Sequence, residues 1–418
     1  MLFAMTSTKN KPLRPRTATD VVIHPVVKDE DWRRCAELMA NEHATNQAGH
    51  HWLIDLSERY PNYRREHTRM AVAGAELVGA LRITTDTLRI GEARLKMGGI
   101  GWLTTTERFR RKGIASLLMA DALAYMQEHS YHVSMLFGIP NFYEKFGYAT
   151  SLLEHSILVD TAESRSFQNP FKVRAARPTD IPVLQRIHNA CDAETACSML
   201  RSSAHLKNRW TRFADWRLLI DDQGKAVAYF YPRIEFGCLS VIEIGHNAPG
   251  IFGALLGAAG EIALEHSLPQ IRFFVPPSHP FTRFMLRFRS IHETRVENNA
   301  GGMMAFVDVM EALESMIPEW ESQLERSMLR DARTEITLVT DRKNITIRVN
   351  RGAIDIAQRP TRHRITLSPG ELMHLVTGYL HLDDLLETKP VLLPAETLAL
   401  LAAIFPKRSP FVWPYDRF

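Results

Sequence analysis

Two hydrophobic rhythms alternate along the chain, and the order of their alternation divides it into three segments. From Val21 to about Asp160, a helical pattern around Trp32–Asn41 precedes strand segments near Arg69–Ala73, Glu76–Thr85 and Lys96–Thr104. A second helical pattern fills Gly113–His129, and a strand pattern follows at His132–Phe137. Such alternation predicts a sheet covered by helices. The order recurs from Phe171 to about Val309, with a helix at Ile181–Asn189, strands at Ala226–Tyr231 and Ser240–Ile244, a helix at Ile251–His266 and a strand at Gln270–Val275. A repeated order with little residue identity predicts a second copy of one fold. After Glu311 the texture changes. Thr334–Thr340 and Asn344–Val349 read as a hairpin turning at Asp341–Lys343. Ser368-Pro369-Gly370-Glu371 reads as a capping box with proline at the first helical position, opening a helix at Leu372–Leu380. The expected divisions are a disordered leader at 1–20, then 21–165, 166–311 and 312–418. The expected class is α/β with mixed, α+β-type sheets.

Composition narrows the chemistry. A chain of 418 residues is too long for one ordinary core. Its 45% hydrophobic and 23% charged residues are those of a soluble globular protein. A net charge of +4 is too small to make nucleic acid or an anionic membrane the main partner. The polar, basic leader lacks the apolar stretch of a signal peptide, and no apolar run is long enough to span a bilayer. Cys35, Cys191, Cys197 and Cys238 form no CxxC pair, so neither a zinc knuckle nor a disulfide framework is indicated. His50, His51, His129, His132 and His363 lack HExxH spacing. These features predict a reduced, cytoplasmic protein with no metal. The absence of a Gly-x-Ser-x-Gly elbow and of a Gly-x-x-x-x-Gly-Lys loop argues against hydrolase and P-loop readings.

The informative stretch is Gly99-Ile100-Gly101-Trp102-Leu103-Thr104, then Thr105 to Phe109, then Arg110-Arg111-Lys112-Gly113-Ile114-Ala115. A strand ends, a turn follows, and Arg-x-x-Gly-x-Ala runs straight into a helix. A diphosphate needs several converging donors and no bulk in front of them. A turn entering a helix offers exposed N–H groups and the positive end of the helix dipole. Gly113 and Ala115 leave those amides open, while Arg110, Arg111 and Lys112 add positive charge. Taken alone, this is equally a solvated basic turn capping a buried helix. About thirty residues on, Met135-Leu136-Phe137 leads into Gly138-Ile139-Pro140-Asn141-Phe142-Tyr143-Glu144-Lys145-Phe146-Gly147-Tyr148. Acyl transfer from a thioester to an amine needs a polarised carbonyl, a neutral amine and a proton for the departing thiolate. A tyrosine, with an ordinary pKa of about 10, can give that proton. Tyr143 is the candidate acid, core packing beside Phe142 and Phe146 is the bland alternative, and Tyr148 is the stand-in.

In that order and spacing, these motifs resemble the acetyl-CoA site of GNAT-type N-acetyltransferases, in which a tyrosine of the later segment faces the cofactor sulfur. From Val21 to Phe418 the chain resembles the Eis-like (enhanced intracellular survival) family. That resemblance implies tandem GNAT folds, the second degenerate, followed by a sterol-carrier-protein-like α/β domain. It implies acetyl-CoA as co-substrate, with backbone at Leu103 and Thr105 pairing with pantetheine. Arg110, Arg111, Lys112, Gly113, Ile114, Ala115 and Ser116 would hold phosphates, and Thr104 and Asn141 would join the cofactor site. It also implies that the chain's terminal carboxylate, on Phe418, works as general base or orients the ammonium. A frayed tail is the usual state of chain ends, but Phe411, Val412, Trp413, Tyr415 and Phe418 make this end too aromatic for one. The implied acceptor is a primary amine, aminoglycoside-like or another polyamine. The acceptor pocket is expected near Trp32–Glu42 and His50–Arg64, and the assembly is a homo-oligomer, a hexamer by resemblance. A protein lysine or amino-terminal amine is the alternative acceptor, and a lipid or sterol carrier the alternative class.

Two departures matter. The family turn often has proline where this chain has Glu107. In the second segment, Asn247-Ala248-Pro249-Gly250-Ile251-Phe252 puts Asn247 in place of the arginine and Phe252 in place of the small residue. Phe281-Thr282-Arg283-Phe284 offers no tyrosine there, and Gly253, Gly257 and Gly260 read as close helix packing rather than a nucleotide loop.

Overall fold

The computed structural model describes residues 21–44, 50, 51, 54, 59–210, 215–248, 250–341, 343–389 and 391–418. The expected leader 1–20, part of His50–Arg64, and Pro249 and Arg342 of the two expected turns lie outside them. Among the described residues, no helix is long and apolar enough to cross a membrane.

The first sheet holds β1 (Val21–Pro25), β2 (Thr68–Ala73), β3 (Glu76–Ile90), β4 (Ala93–Thr105), β5 (Val133–Gly138) and β6 (Ala149–Thr150). The second sheet takes β7 (Glu154–Asp160), β8 (Lys172–Ala175), β10 (Arg217–Ile220), β11 (Ala226–Glu235), β12 (Cys238–His246), β13 (Gln270–Phe273) and β14 (Ile291–Arg295). Two short strands cross back to the first sheet. β9 (Ser198–Met199) pairs with β3, and β15 (Gly301–Phe306) lies antiparallel to β5, giving the order β1-β2-β3-β4-β5-β15-β6. Strand β7, on the amino-terminal side of the expected division at 165, thus belongs to the second sheet, and the strand before the division at 311 belongs to the first.

The two faces of the first sheet are covered differently, because alternate residues of β3 point to opposite sides. On one face, helix α2 (Ile114–Glu128) packs Ile114, Leu118, Met119, Ala122 and Met126 against Leu81, Ile83, Ile100 and Leu136. Truncating Leu118 to alanine in such a core costs about 2–5 kcal/mol. On the other face, helix α1 (Asp29–His43) sets Trp32, Cys35, Ala36 and Met39 against Met70 and Ala80.

The third segment opens with a helix at Val309–Glu325, capped by the Asp308 carboxylate, which accepts from the amides of Met310 (2.8 Å) and Glu311 (3.2 Å). A sheet of β16 (Arg333–Val339), β17 (Asn344–Asn350), β18 (Ala353–Ala357) and β19 (Arg364–Thr366) follows in the order β18-β17-β16-β19. The expected capping box forms: Ser368 Oγ accepts from Glu371 N (3.2 Å), and Glu371 Oε2 accepts from Ser368 N (2.6 Å). The helix it opens runs Pro369–Thr377 and ends at Gly378, whose φ of +73° is the usual glycine stop. This segment shares one core with Leu88, Leu95 and Met97 of the first sheet. Its last residues then leave it: Phe411 and Trp413 are buried in the core of the second sheet.

Candidate active site

Strand β4 pairs with β3 along most of its length, with a bulge at Trp102, where φ is +56°. Its other edge pairs in parallel with β5 only from Met97↔Val133 to Ile100↔Leu136. Beyond Ile100 the strands part, so among the described residues the edge from Gly101 to Thr105 has no partner strand. An open edge of this kind presents amides and carbonyls to an extended ligand. The Thr105 hydroxyl is buried there and, among the described residues, makes no hydrogen bond. Buried polar groups are normally satisfied, so an orphan marks a position for a missing partner. Thr104 is committed: its hydroxyl donates to Trp102 O (3.0 Å) and lies 3.0 Å from His43 Nε2. His43, which the sequence did not single out, has its pKa pulled below the ordinary value by burial.

The basic turn follows as a short 3-10 coil at Glu107–Phe109, and the chain reverses through positive φ at Arg111 (+62°) and Gly113 (+81°). Helix α2 then starts at Ile114 with no side-chain cap, so its first amides, including those of Ala115 and Ser116, lack intrahelical acceptors. A Cβ built on Gly113 would meet nothing within 4 Å, so the turn is uncrowded where the helix begins. The three basic side chains are not equivalent. Arg110 is held by Glu42 (2.7 Å), and Lys112 lies over the Phe109 ring (4.8 Å). Arg111 is exposed and, among the described residues, without a partner. Lys145, a further cation beside the turn, donates to Ser116 Oγ (2.9 Å) and ties this turn to the later aromatic segment.

In that segment Asn141, at φ +58°, is exposed and gives its amide to Asn299 O (3.0 Å). Tyr143 is buried with its ring across Gly138, where a Cβ would collide with it. Its hydroxyl has no hydrogen-bond partner among the described residues, and burial raises its pKa above the ordinary value. Tyr148 differs: fully buried, it donates to Ser134 Oγ (2.7 Å), which in turn donates to Gly98 O (2.8 Å). A hydroxyl committed to that chain is badly placed to protonate a ligand. Tyr143 and Phe142 meet edge to face with ring centroids 4.9 Å apart, so the two rings pack on each other rather than on different sides of the turn.

Phe418 reaches strand β4 from the far end of the chain. A methyl group at Gly99 would collide with its ring, and its carboxyl carbon lies 3.4 Å from the Cβ position of Gly101. Its ring meets Phe137 at 6.1 Å. The tail is held by residues that sequence reading missed. Arg201, fully buried, clamps Asp416 (2.7 and 2.8 Å) and Glu243 (2.8 and 2.6 Å) together. Asp416 and Glu243 drive the Arg201 pKa up, and Arg201 holds both carboxyls below the usual carboxylate range. Trp413 Nε1 donates to Asp192 (2.6 Å), and Arg209 donates to the carbonyls of Tyr415 and Arg417.

The second segment builds the corresponding turn with Phe252 at the first helical position, its ring against His246 (4.8 Å) and Phe281 (5.6 Å). Gly257 and Gly260 let this helix touch the chain at Phe167 and Ser164. Cys191, His246 and His279 gather there with ligand atoms within 4.8 Å of one another. However, His279 Nδ1 accepts the Phe281 amide (3.1 Å), which leaves the proton of the neutral ring on the inward-facing Nε2. That tautomer is wrong for a metal ligand.

Residues 26–151 match the acetyltransferase (GNAT) domain family. This segment is a GNAT acetyltransferase domain, and the protein is an acyltransferase enzyme. No curated protein matches the sequence. Among solved structures, the chain is similar to a protein from Enterococcus faecalis described as a probable N-acyltransferase (TM-score 0.76, 15% identity, 95% of this chain and 99% of that one). It is also similar to a GCN5-related N-acetyltransferase from Anabaena variabilis (TM-score 0.74, 15% identity, 95% and 100%) and to Eis1 from Mycobacterium abscessus (TM-score 0.65, 14% identity, 95% and 100%). At such identities the likeness establishes the fold, over nearly the whole of each chain.

Proposed function

We propose that this protein is an acetyl-CoA-dependent N-acetyltransferase that acetylates a primary amine, aminoglycoside-like or another polyamine, by direct transfer. The observation that carries the reading is the Phe418 terminus lying against Gly99 and Gly101 of β4, where the strand runs on into its unpaired edge. GNAT acetyltransferases use acetyl-CoA as co-substrate, which supplies an acetyl group activated on sulfur. Leu103 and Thr105 would receive its pantetheine along the unpaired edge, and Gly113 to Ser116 its phosphates, with Arg111 as the uncommitted cation. The Phe418 carboxylate orients the acceptor ammonium and passes its proton to solvent, leaving a lone pair on nitrogen. As the C–N bond forms and the C–S bond breaks, Tyr143 delivers its proton to sulfur, and the proton that the new amide nitrogen sheds restores the phenol through solvent. The divisions 21–165, 166–311 and 312–418 serve this scheme as a catalytic domain, a degenerate copy that anchors the tail, and a sterol-carrier-like domain that delivers it. We extend the reading to a cytoplasmic homo-oligomer, a hexamer.

The test is a panel of amines assayed for thiol release from acetyl-CoA, with the enzyme tagged at one end or the other. A carboxy-terminal tag turns the Phe418 carboxylate into an amide, and deleting Phe418 withdraws it by about 3.5 Å of chain. Both should collapse turnover and leave acetyl-CoA affinity intact, while an amino-terminal tag is harmless. Equal activity of the two tagged forms would remove Phe418 from the mechanism and turn attention to His43.

A further inference from the structure

Arg82 is the least satisfied charge in the described structure. It is fully buried on β3, and Nε, Nη1 and Nη2 all lack a hydrogen-bond partner. Its guanidinium lies 4.1 Å from the Trp102 ring centroid and 5.0 Å from that of Tyr60. Aromatic faces attract a guanidinium but leave its N–H groups unanswered. Burial pushes its pKa down to about 10, with Tyr60, Tyr63, Asp86 and Arg209 as the surrounding titratable groups. A buried cation without a counter-charge is strongly unfavourable, so a partner must be within reach.

The register of the sheet points to that partner. Arg82 is paired with Gly101 and Thr84 with Gly99, so both side chains rise on the face where the glycines leave room. The group filling that room is Phe418, with its carboxyl carbon beside Gly101. The other anions nearby are committed. Asp86 accepts from Tyr60 (2.8 Å), and Asp416 and Glu243 belong to Arg201. Among the cations, Arg209 is taken by tail carbonyls and Arg417 by Glu154 (2.9 Å). Among the described residues, this leaves one unmatched cation and one unmatched anion on the same patch of sheet.

We propose that Arg82 is the positioning residue for the terminal carboxylate of Phe418, holding it through a bridging water. The assignment rests on the catalytic reading of Phe418 given above. An arginine suits the task because its planar fork fixes a carboxylate in angle as well as in place. Held this way, the carboxylate stays ionised and presents one oxygen to the acceptor ammonium.

A double-mutant cycle on the full-length enzyme tests this. Arg82→Met keeps the side-chain length and the contact with both rings but removes the charge. In the complete chain it should lower kcat about 10- to 100-fold, with acetyl-CoA affinity unchanged. In the chain lacking Phe418, the same substitution should change kcat by less than about twofold, because nothing is left to position. Arg82→Lys should recover part of the loss. If Arg82→Met does not fold, the cycle run with Arg82→Lys has the same outcomes on a smaller scale. An equal loss in both backgrounds would overturn the assignment while leaving the role of Phe418 intact. Full activity of the chain without Phe418 would overturn both.

Discussion

The two strand-turn-helix units of this chain start from the same local plan and end as opposites. In the first, Gly113 and Ala115 keep the helix amides clear, and a Cβ at Gly113 would meet empty space. In the second, Phe252 stands at the first helical position and packs against His246 and Phe281. The first β4 edge is open past Ile100. Beside the second sheet, β12 sends Glu243 to Arg201, and Trp413 and Tyr415 pack into the cores around it. One unit thus has an uncapped, uncrowded turn, and the other holds the chain terminus. A duplicated fold can divide labour when one copy trades binding for positioning.

The largest way to break this comparison is to cut the anchor. Arg201→Met leaves Asp416 and Glu243 buried without their cation, which should destabilise the protein by about 3–5 kcal/mol in urea unfolding. The sign with pH follows from the depressed carboxyls. Their contribution is complete above the ordinary carboxylate value of about 4 and is lost as pH falls below it. The variant should lack that acid-side loss. A variant as stable as the parent at neutral pH would show that the buried network does not hold the tail.

Next in size is the proposed acid. Tyr143→Phe should lower turnover about 100-fold, the usual share of a positioned proton donor, and hardly move acetyl-CoA affinity. Because burial raises its pKa, the donor stays protonated to higher pH than an ordinary tyrosine. The alkaline fall of the rate should therefore lie above about pH 10 and vanish in the phenylalanine variant. A fully active variant would move the role to Tyr148 or to solvent. Smaller still is Arg111→Ala, which removes the uncommitted cation and should weaken acetyl-CoA binding by about 1.5–3 kcal/mol in calorimetric titration. Arg110→Ala should cost less, since Arg110 already belongs to Glu42. The reverse ranking would refute the distinction between them.

How much of this was legible in the sequence depends on the range of the interaction. The turn, the Ser368 capping box and the Asn141–Tyr148 segment are short, and local rules read them directly. The strand β15 was not separable from its surroundings, because Gly301-Gly302-Met303-Met304 becomes a strand only by lying on β5. The tail anchor was invisible for a similar reason: Arg201 and Asp416 are 215 positions apart. Arg82 is the instructive case. Alternation along Ala80-Leu81-Arg82-Ile83-Thr84 assigns Arg82 and Thr84 to the polar face of a strand, which would ordinarily meet water. Here that face is closed by the end of the same chain, so residues patterned for solvent become the lining of the candidate site.

The account turns on the claim that one turn binds the cofactor and its counterpart does not. Calorimetric titration of the intact protein with acetyl-CoA, beside Gly113→Glu, tests it most directly. Gly113→Glu puts bulk and negative charge before the α2 amides, at a φ of +81° that glycine alone adopts readily. The account predicts one acetyl-CoA per chain and no detectable binding to the variant. Two per chain, or an unchanged affinity in Gly113→Glu, would contradict it.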